Sequence, residues 1–276
     1  MTIRVMTLED SRTVLGWAED EGWNPGLDDA EAFHSVDPQG FLIKEVDDEP
    51  VAAISVVNQD PDFAFLGLYL CKPLFRGEGH GMDVWHAGIA HAGPRSIGLD
   101  GVPEQQGNYA RSGFMKYGST IRYEGRVEAD PDPRVRCVFP NEMATLITRD
   151  AKVGGMNRTA FATAWFSASQ NRQTMVLTDG VEVTGYATFR RCSSGTKVGP
   201  LYATSQADTQ VLLASNPFAE PNDPVFIDVQ EQSSPLGALL QNRGFEPVFE
   251  TARMFRGVRP EANPPMFHAI ATMELG

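Results

Sequence analysis

The stretch from Phe63 to Ala92 constrains the fold more than any other part of the chain. An apolar run, Phe63 to Leu70, predicts a buried strand, and Gly81 to Ala92 predicts a helix with one apolar side. Between them, Arg76 to Gly81 reads RGEGHG. Without β-carbons, successive N–H groups can approach a phosphate, and a helix N-terminus favours negative charge. The segment therefore suits a phosphate ligand, with a plain glycine turn as the alternative.

The elements around this segment predict a mixed α/β unit. A helix ending near Asp20 and a short second helix precede three antiparallel strands, and the third strand leads into the glycines. After the loop helix, a strand returns parallel to Phe63 to Leu70 through a right-handed crossover, followed by a short helix and a hairpin that ends near Tyr123. The predicted ranges are 30–35, 81–92 and 105–112 for helices, and 41–46, 51–57, 63–70 and 96–102 for strands.

Composition narrows the class of protein. The chain has 276 residues, 42% of them hydrophobic, which suits one large or two ordinary domains. Its net charge of −13 argues against nucleic acid or membrane as partners and weakly favours a cationic or neutral substrate. Three dispersed cysteines indicate a reducing compartment without structural zinc, and no apolar run resembles a signal or a membrane span. We therefore expect a cytoplasmic protein.

A second unit follows a proline-rich connection. Residues 128–140 are the predicted linker between domains 1–127 and 141–276. The second unit predicts the same succession of elements, and Leu99-Asp100 corresponds to Ile227-Asp228. Where the first unit has its glycines, the second reads GPLYATSQ from Gly199, so it is predicted to be a degenerate copy without a phosphate loop.

Two motifs carry a resemblance to a known family. Arg-x-x-Gly-x-Gly at Arg76, Gly79 and Gly81, together with Tyr-x-x-x-Gly-Phe beginning at Tyr109, resembles the GCN5-related N-acetyltransferase (GNAT) superfamily. The segments around Trp23 and 98–106 further resemble its tandem subgroup of YitH-type acetyltransferases. The resemblance implies two tandem GNAT-like domains of α/β (α+β, mixed-sheet) class, the second without the pyrophosphate loop.

The resemblance also implies a site for acetyl-CoA (CoA). Backbone amides of the glycine segment are expected to hold the pyrophosphate, and the pantetheine is expected between the strands 63–70 and 97–102, where they splay apart. Many members have Asn before the helix that carries the tyrosine, and here Gln105 or Gln106 stands in that neighbourhood. The expected cofactor-binding residues are Leu70, Cys71, Arg76, Gly77, Glu78, Gly79, His80, Gly81, Met82 and Gln105.

Acyl transfer to an amine needs three groups, and the sequence offers candidates for each. The amine must be unprotonated, the oxyanion needs a fixed donor, and the departing thiolate needs a proton. Tyr109 is expected to supply that proton, with a core packing tyrosine as the alternative. A backbone N–H near Leu70 or Cys71 is the expected oxyanion donor. The candidates for the base, directly or through water, are Asp62, Asp100 and Glu104.

The acceptor is expected at the loop from Glu21 to Asp28. Trp23 is predicted to stack on a cationic amine, Asn24 to orient it and Asp28 to attract it; the alternative is that Trp23 plugs the seam between the units. No metal site is predicted, because the histidines near residue 86 do not share a helical face.

Taken together, these features predict an acetyl-CoA-dependent N-acetyltransferase that works by direct attack in a ternary complex. The alternative is a non-catalytic acyl-CoA-binding or regulatory module. The acceptor is a small-molecule or peptide amine, and the protein is a monomer or weak homodimer.

Overall fold

One sheet of thirteen strands runs through the part of the protein that the computed structural model describes, residues 2–230 and 234–276. The strand order is β1-β2-β3-β4-β5-β12-β6-β11-β10-β9-β8-β7, and β13 pairs with β10. The strands are β1 Thr2–Val5, β2 Phe41–Val46, β3 Glu49–Asn58, β4 Phe63–Cys71, β5 Ser96–Gly101, β6 Met115–Gly125, β7 Val135–Cys137, β8 Arg172–Thr178, β9 Val183–Arg191, β10 Thr196–Ala203, β11 Val225–Gln230, β12 Glu246–Arg256 and β13 Phe267–Ala269. The helices are α1 Leu8–Asp20, α2 Asp29–Val36, α3 His80–Ala92, α4 Gln106–Arg111, α5 Met143–Gly154, α6 Thr159–Phe166, α7 Gln206–Ala214 and α8 Ser234–Asn242.

Helices cover both faces of this sheet. Helices α1, α2, α5 and α6 share one apolar core, which includes Phe33 and Trp165 stacked at 5.7 Å between ring centroids. Helices α3 and α4 pack on the other face of the first half, and α7 and α8 on the other face of the second half. The alternation of side chains along each strand produces this division, since the adjacent residues Leu42 and Ile43 of β2 belong to different cores. The predicted mixed α/β class is confirmed.

The predicted elements of the first half form largely where expected. Helix α1 begins after a capping box, in which Thr7 and Asp10 bond each other's backbone N–H groups. Strand β1 was not predicted. The predicted hairpin after α4 is wrong, because β6 is one continuous strand; Gly118 lies at a register shift against β12 and not at a turn.

The two halves exchange their last strands. Strand β12, from the second half, lies between β5 and β6, and β6, from the first half, pairs with β11. Each half therefore completes the sheet of the other. The predicted linker 128–140 contains the short strand β7, which pairs with β8; the domain bounds themselves stay a prediction.

A reciprocal pair of buried ion pairs accompanies this exchange. Asp100 on β5 accepts from Arg253 on β12, with N–O distances of 3.0 and 2.6 Å. Asp228 on β11 accepts from Arg122 on β6 at 2.7 and 2.9 Å. Burial of a charge is tolerated when it is paired and hydrogen-bonded, as both carboxylates are. The predicted correspondence of Asp100 with Asp228 thus extends to their arginine partners.

The segment after β12 crosses from the second half to the first. Strand β13 pairs with β10 beyond Val198, the last residue at which β10 still pairs with β11. The following residues, 270–276, which we call the tail, run on to β4. A Cβ at Gly199 would overlap the carbonyl oxygen of Ile270, and a Cβ at Gly67 would overlap that of Glu274. Glycine at these two positions therefore allows the tail to approach the sheet.

Among the described residues, no helix combines the length and apolarity needed to cross a bilayer.

Candidate active site

The glycine segment forms an amide-rich turn at the start of α3. Gly77 and Gly79 have φ of 85° and 89°, a left-handed conformation that favours glycine, and space beyond both is open. The N–H of Asp83 donates to the carbonyl of Gly79 at 3.1 Å, so the preceding N–H groups of His80, Gly81 and Met82 lack partners within the helix. These groups and the helix dipole suit an anion.

The charged side chains of this loop bind mainly to protein groups. Arg76 donates through Nε to the carbonyl of Cys71 at 2.9 Å and pairs with Glu21. His80 is buried, its Nε2 lies 3.2 Å from Glu78, and its Nδ1 has no partner. For Arg76, Glu78 and His80, we therefore expect the backbone N–H groups, and not the side chains, to contact the cofactor.

Gly81 serves a different purpose from the other two glycines. A Cβ there would stand 3.0 Å from the hydroxyl oxygen of Tyr69, so this glycine makes room for that ring. The Met82 side chain is half-exposed at the edge of the groove described below.

Strands β4 and β5 separate about halfway along β4. Their parallel pairing ends at Leu66 and Leu99, and β4 then bulges at Leu68, which has φ of 45°. Beyond the bulge, the N–H of Lys72 donates to β3 at Val51. Alternation in an antiparallel ladder then directs the N–H of Leu70 to β3 and that of Cys71 to the gap. Of the two expected oxyanion donors, only Cys71 has an N–H that faces the gap.

The gap opens into two recesses. The first, the tail-side cleft, is lined by Trp23, Leu66, Gly67, Leu68, Tyr69, Leu99, Asp100, Val102, Tyr109, Arg122, Phe249, Thr251, Met273 and Glu274. The second, the helix-side groove, runs between α3 and α4 and is lined by Tyr69, Met82, Trp85, Gln105, Asn108, Tyr109, Arg111 and Ser112. Among the residues that the structure describes, only Tyr69 and Tyr109 line both, so they stand where the two recesses meet.

Tyr109 is held by aromatic packing. Its ring stacks on Trp85 with centroids 5.6 Å apart and meets Phe114 edge-on at 6.3 Å. Gly101 allows the ring to approach, since a Cβ there would collide with it. Burial raises the pKa of the Tyr109 hydroxyl above its ordinary value, and within the described residues this hydroxyl has no protein hydrogen-bond partner. It is thus a protonated, uncommitted donor.

The carboxylates expected as bases occupy other positions. Asp100 lines the tail-side cleft, but its oxygens accept from Arg253 and also from Thr120 at 2.8 Å. Burial raises the pKa of Asp100, and the Arg253 guanidinium opposes that rise. Glu104 lies exposed on the turn before α4, outside the cleft lining, and Asp62 lies at the opposite end of β4. The geometry does not favour any of the three as the base.

The loop after α1 belongs mostly to the seam between the halves. Asn24 exchanges hydrogen bonds with the backbone of Ser194, and both Asp28 oxygens accept from Asn171. Neither side chain lines the tail-side cleft. Trp23 does line it, while its carbonyl accepts from Arg122 and Lys197, both at 2.8 Å. These contacts give no support to the expected acceptor role of Asn24 and Asp28. Trp23 fits both of its alternatives, because it lines the cleft and also lies in the seam between the halves.

The two glutamines at the start of α4 make different contacts. Gln106 donates to the carbonyl of Gly101 at the end of β5, at 3.1 Å. Gln105 lines the helix-side groove and accepts from Asn108 at 2.6 Å.

One carboxylate in the tail-side cleft was missed by the sequence analysis. Glu274 is 5% exposed and makes no ion pair with the described residues. Thr272 donates to its Oε2, and no described protein group donates to its Oε1. No motif in the sequence MELG marked this residue.

A further cavity is lined largely by residues of the second half. It lies beside β12 and β6 and is lined by Met156, Gln230, Arg253 and His268, among others. Burial lowers the pKa of His268 to about 4, so the ring is neutral near pH 7. Strand β13 fills the space where β10 and β11 separate, and α7 begins with a Ser205 cap in place of a glycine turn. The described residues of this half therefore offer no counterpart of the amide-rich turn.

Metal and covalent cysteine chemistry find no support among residues 2–230 and 234–276. These residues contain no cluster of three or more metal-binding side chains. Burial raises the pKa of the Cys71 thiol, and its Sγ contacts the carbonyl of Phe75 at 3.5 Å. Such a thiol is a poor nucleophile, because the thiolate is the reactive form.

Comparisons with known proteins agree with this architecture. Residues 146–267 match the family model described as "Acetyltransferase (GNAT) domain". The chain is 36% identical to holothin acyltransferase of Pseudoalteromonas sp. (strain SANK 73390), over 100% of this chain and 94% of that protein. A putative acetyltransferase from Pyrococcus horikoshii superposes with a TM-score of 0.81 at 22% identity, covering 100% and 95% of the two chains. A tandem GNAT protein from the clavulanic acid biosynthesis pathway gives 0.63 at 14% identity, covering 95% and 99%.

Proposed function

Since the chain belongs to the GNAT superfamily of acyltransferases and has its tandem architecture, we propose that it is an acetyl-CoA-dependent N-acetyltransferase. It transfers the acetyl group to a primary amine by direct attack in a ternary complex. One observation carries the proposal: Tyr109 stands where the tail-side cleft meets the helix-side groove, in the gap between β4 and β5.

The residues of the first half fit acetyl-CoA. When bound, the cofactor supplies an acetyl thioester as the activated acyl group. The turn from Gly77 to Met82 would hold its phosphates through N–H groups, and a side chain at Gly77 or Gly79 would enter that open space. The helix-side groove, with Gln105 and Met82, would take the pantetheine arm. Cys71 N–H would then face the thioester oxygen, and Tyr109 would donate a proton to the departing sulfur.

The tail-side cleft is suited to an amine with a flat or apolar body. Trp23, Tyr69, Tyr109 and Phe249 supply aromatic surface, and Glu274 supplies a carboxylate. Aromatic faces and a carboxylate both favour a cationic or hydrogen-bond-donating nitrogen. The 36% identical relative is named for holothin, so holothin belongs among the acceptors to be tested.

A panel of amines tests the proposed activity. The purified protein is incubated with acetyl-CoA and polyamines, amino acids, aminoglycosides, lysine peptides or holothin; free thiol is measured, and products are identified by mass spectrometry. We expect an acetylated amine and stoichiometric thiol with at least one class. Tight acetyl-CoA binding without transfer to any of them would support the alternative, a non-catalytic acyl-CoA-binding module.

We expect one acetyl-CoA per chain, bound at Gly79. In titration calorimetry, Gly79→Asp should weaken binding about 10- to 100-fold relative to Gly79→Asn, because it adds one negative charge beside the phosphates. Both residues tolerate the left-handed conformation and cap helices, so the pair differs mainly in charge. Two equivalent sites, or equal affinities of the two variants, would contradict this assignment.

A further inference from the structure

We propose that Glu274, carried by the tail, is the general base of the first unit's active site. This inference rests on the proposed acetyl transfer and identifies the residue that deprotonates the acceptor amine. The candidates suggested by the sequence lie outside the cleft or are committed to an ion pair. Glu274 is inside it.

Contacts of its side chain and of the neighbouring backbone hold Glu274 in the cleft. A buried carboxylate is normally paired or bound to a metal, because desolvation of an isolated charge is costly. Here Oε2 accepts from Thr272, and Oε1 is left without a protein donor in the described part of the chain. Gly67 allows the Glu274 backbone to press against β4, and Gln59 holds the next residue by donating to the carbonyl of Leu275 at 3.2 Å. The carboxylate is thus positioned on rigid elements.

The groups facing Glu274 come from several elements. Arg122 on β6 and Lys197 on β10 lie close enough to interact with its charge, and Asp100 on β5, Tyr69 on β4 and Tyr109 on α4 line the same cleft. Arg122 is paired with Asp228, and Arg253 with Asp100, which leaves Lys197 and Glu274 as the remaining charges of opposite sign. Burial lowers the pKa of Lys197, whose Nζ donates to the carbonyl of Trp23. The Lys197 side chain lies close enough to the Glu274 carboxylate for the two groups to interact electrostatically.

The proposed proton transfers balance. Glu274, directly or through one water, removes a proton from the acceptor nitrogen, and that nitrogen bonds to the acetyl carbonyl carbon. The carbon–sulfur bond breaks as Tyr109 gives its proton to the sulfur. Glu274 passes the proton taken from the amine to solvent, the attacking nitrogen gives up its second proton by the same route, and Tyr109 takes one proton back from solvent. An ammonium and a thioester thus become an amide, a thiol and one released proton.

Glu274→Gln tests the role with little change in shape. The variant should lower kcat/KM for a strongly basic amine about 10²- to 10⁴-fold, the usual worth of general acid–base catalysis, and its remaining activity should rise with pH in proportion to the fraction of free amine. For an amine that is already unprotonated at the assay pH, kcat/KM should fall by a smaller factor. Acetyl-CoA affinity and melting temperature should match the parent, and Glu182→Gln, on an exposed turn, is the matched control.

Three results would overturn the proposal. One is a Glu274→Gln enzyme within twofold of the parent. Another is a large loss of kcat/KM that is the same for both kinds of amine, which would make Glu274 structural. If the parent transfers acetyl to no amine, the proposed function fails and this role fails with it, whereas an active parent with an unaffected variant contradicts the base alone.

Discussion

Tyr109→Phe is expected to lower kcat about 10²- to 10⁴-fold, because it removes the proton donor to the departing thiolate. The phenyl ring keeps the stacking on Trp85 and the edge contact with Phe114. Acetyl-CoA affinity and melting temperature should therefore stay at the parent's values. The measurement is steady-state kinetics under conditions where chemistry limits the rate, with a parallel cofactor titration.

The pH profile and a second tyrosine sharpen this test. Burial raises the pKa of Tyr109, so its hydroxyl should stay protonated and cause no loss of kcat up to about pH 10, the ordinary value for tyrosine. Tyr117→Phe is the control, since Tyr117 is 48% exposed and packs on Phe255. An unchanged kcat for Tyr109→Phe would reduce Tyr109 to a packing residue.

Arg253→Met should destabilise the fold by about 3 to 5 kcal/mol, because it leaves the Asp100 carboxylate buried without its partner. Urea unfolding at pH 7 measures the loss. The unpaired carboxyl should have a pKa above its unfolded value, so the folded state binds a proton more readily than the unfolded state. The variant should consequently regain part of its free energy of unfolding as the pH falls toward about 4.

Two further variants isolate the ion pair. Arg256→Met makes the same change three residues later on β12, at a half-buried side chain without an ion pair among the described residues, and should cost less than about 1 kcal/mol. Asp100→Leu combined with Arg253→Met should recover most of the loss, since apolar residues often replace a buried pair without penalty. A single Arg253→Met variant as stable as the parent would mean that the pair contributes little.

Local patterns were enough to predict much of this fold. The strand, glycine turn and helix from Phe63 to Ala92 followed from apolar periodicity and from glycine's access to left-handed backbone. The internal repeat followed from Leu99-Asp100 and Ile227-Asp228. The same repeat contains Thr120-x-Arg122 and Thr251-x-Arg253, a signal that would have suggested two matching arginines had the strands been aligned.

Other features were beyond the reach of local patterns. Nothing near Glu274 marks it, because its position depends on β13 pairing with β10 and on two distant glycines, Gly67 and Gly199. The hydrogen bonds of Asn24 and Asp28 could not be predicted for a similar reason. Their partners, Ser194 and Asn171, lie 170 and 143 residues away in sequence. Contacts at such separations leave no trace in periodicity.

The exchange of β6 and β12 has a consequence for synthesis on the ribosome. Asp100 and Arg253 are 153 residues apart, and at about 5 to 20 residues per second the edge of β5 waits roughly 8 to 30 s for its partner strand. During that interval the nascent first half presents unpaired backbone along β5 and β6, a template for aggregation. Translation speed through the second half and chaperone capacity should therefore govern the yield of active protein more strongly than the stability of the finished fold.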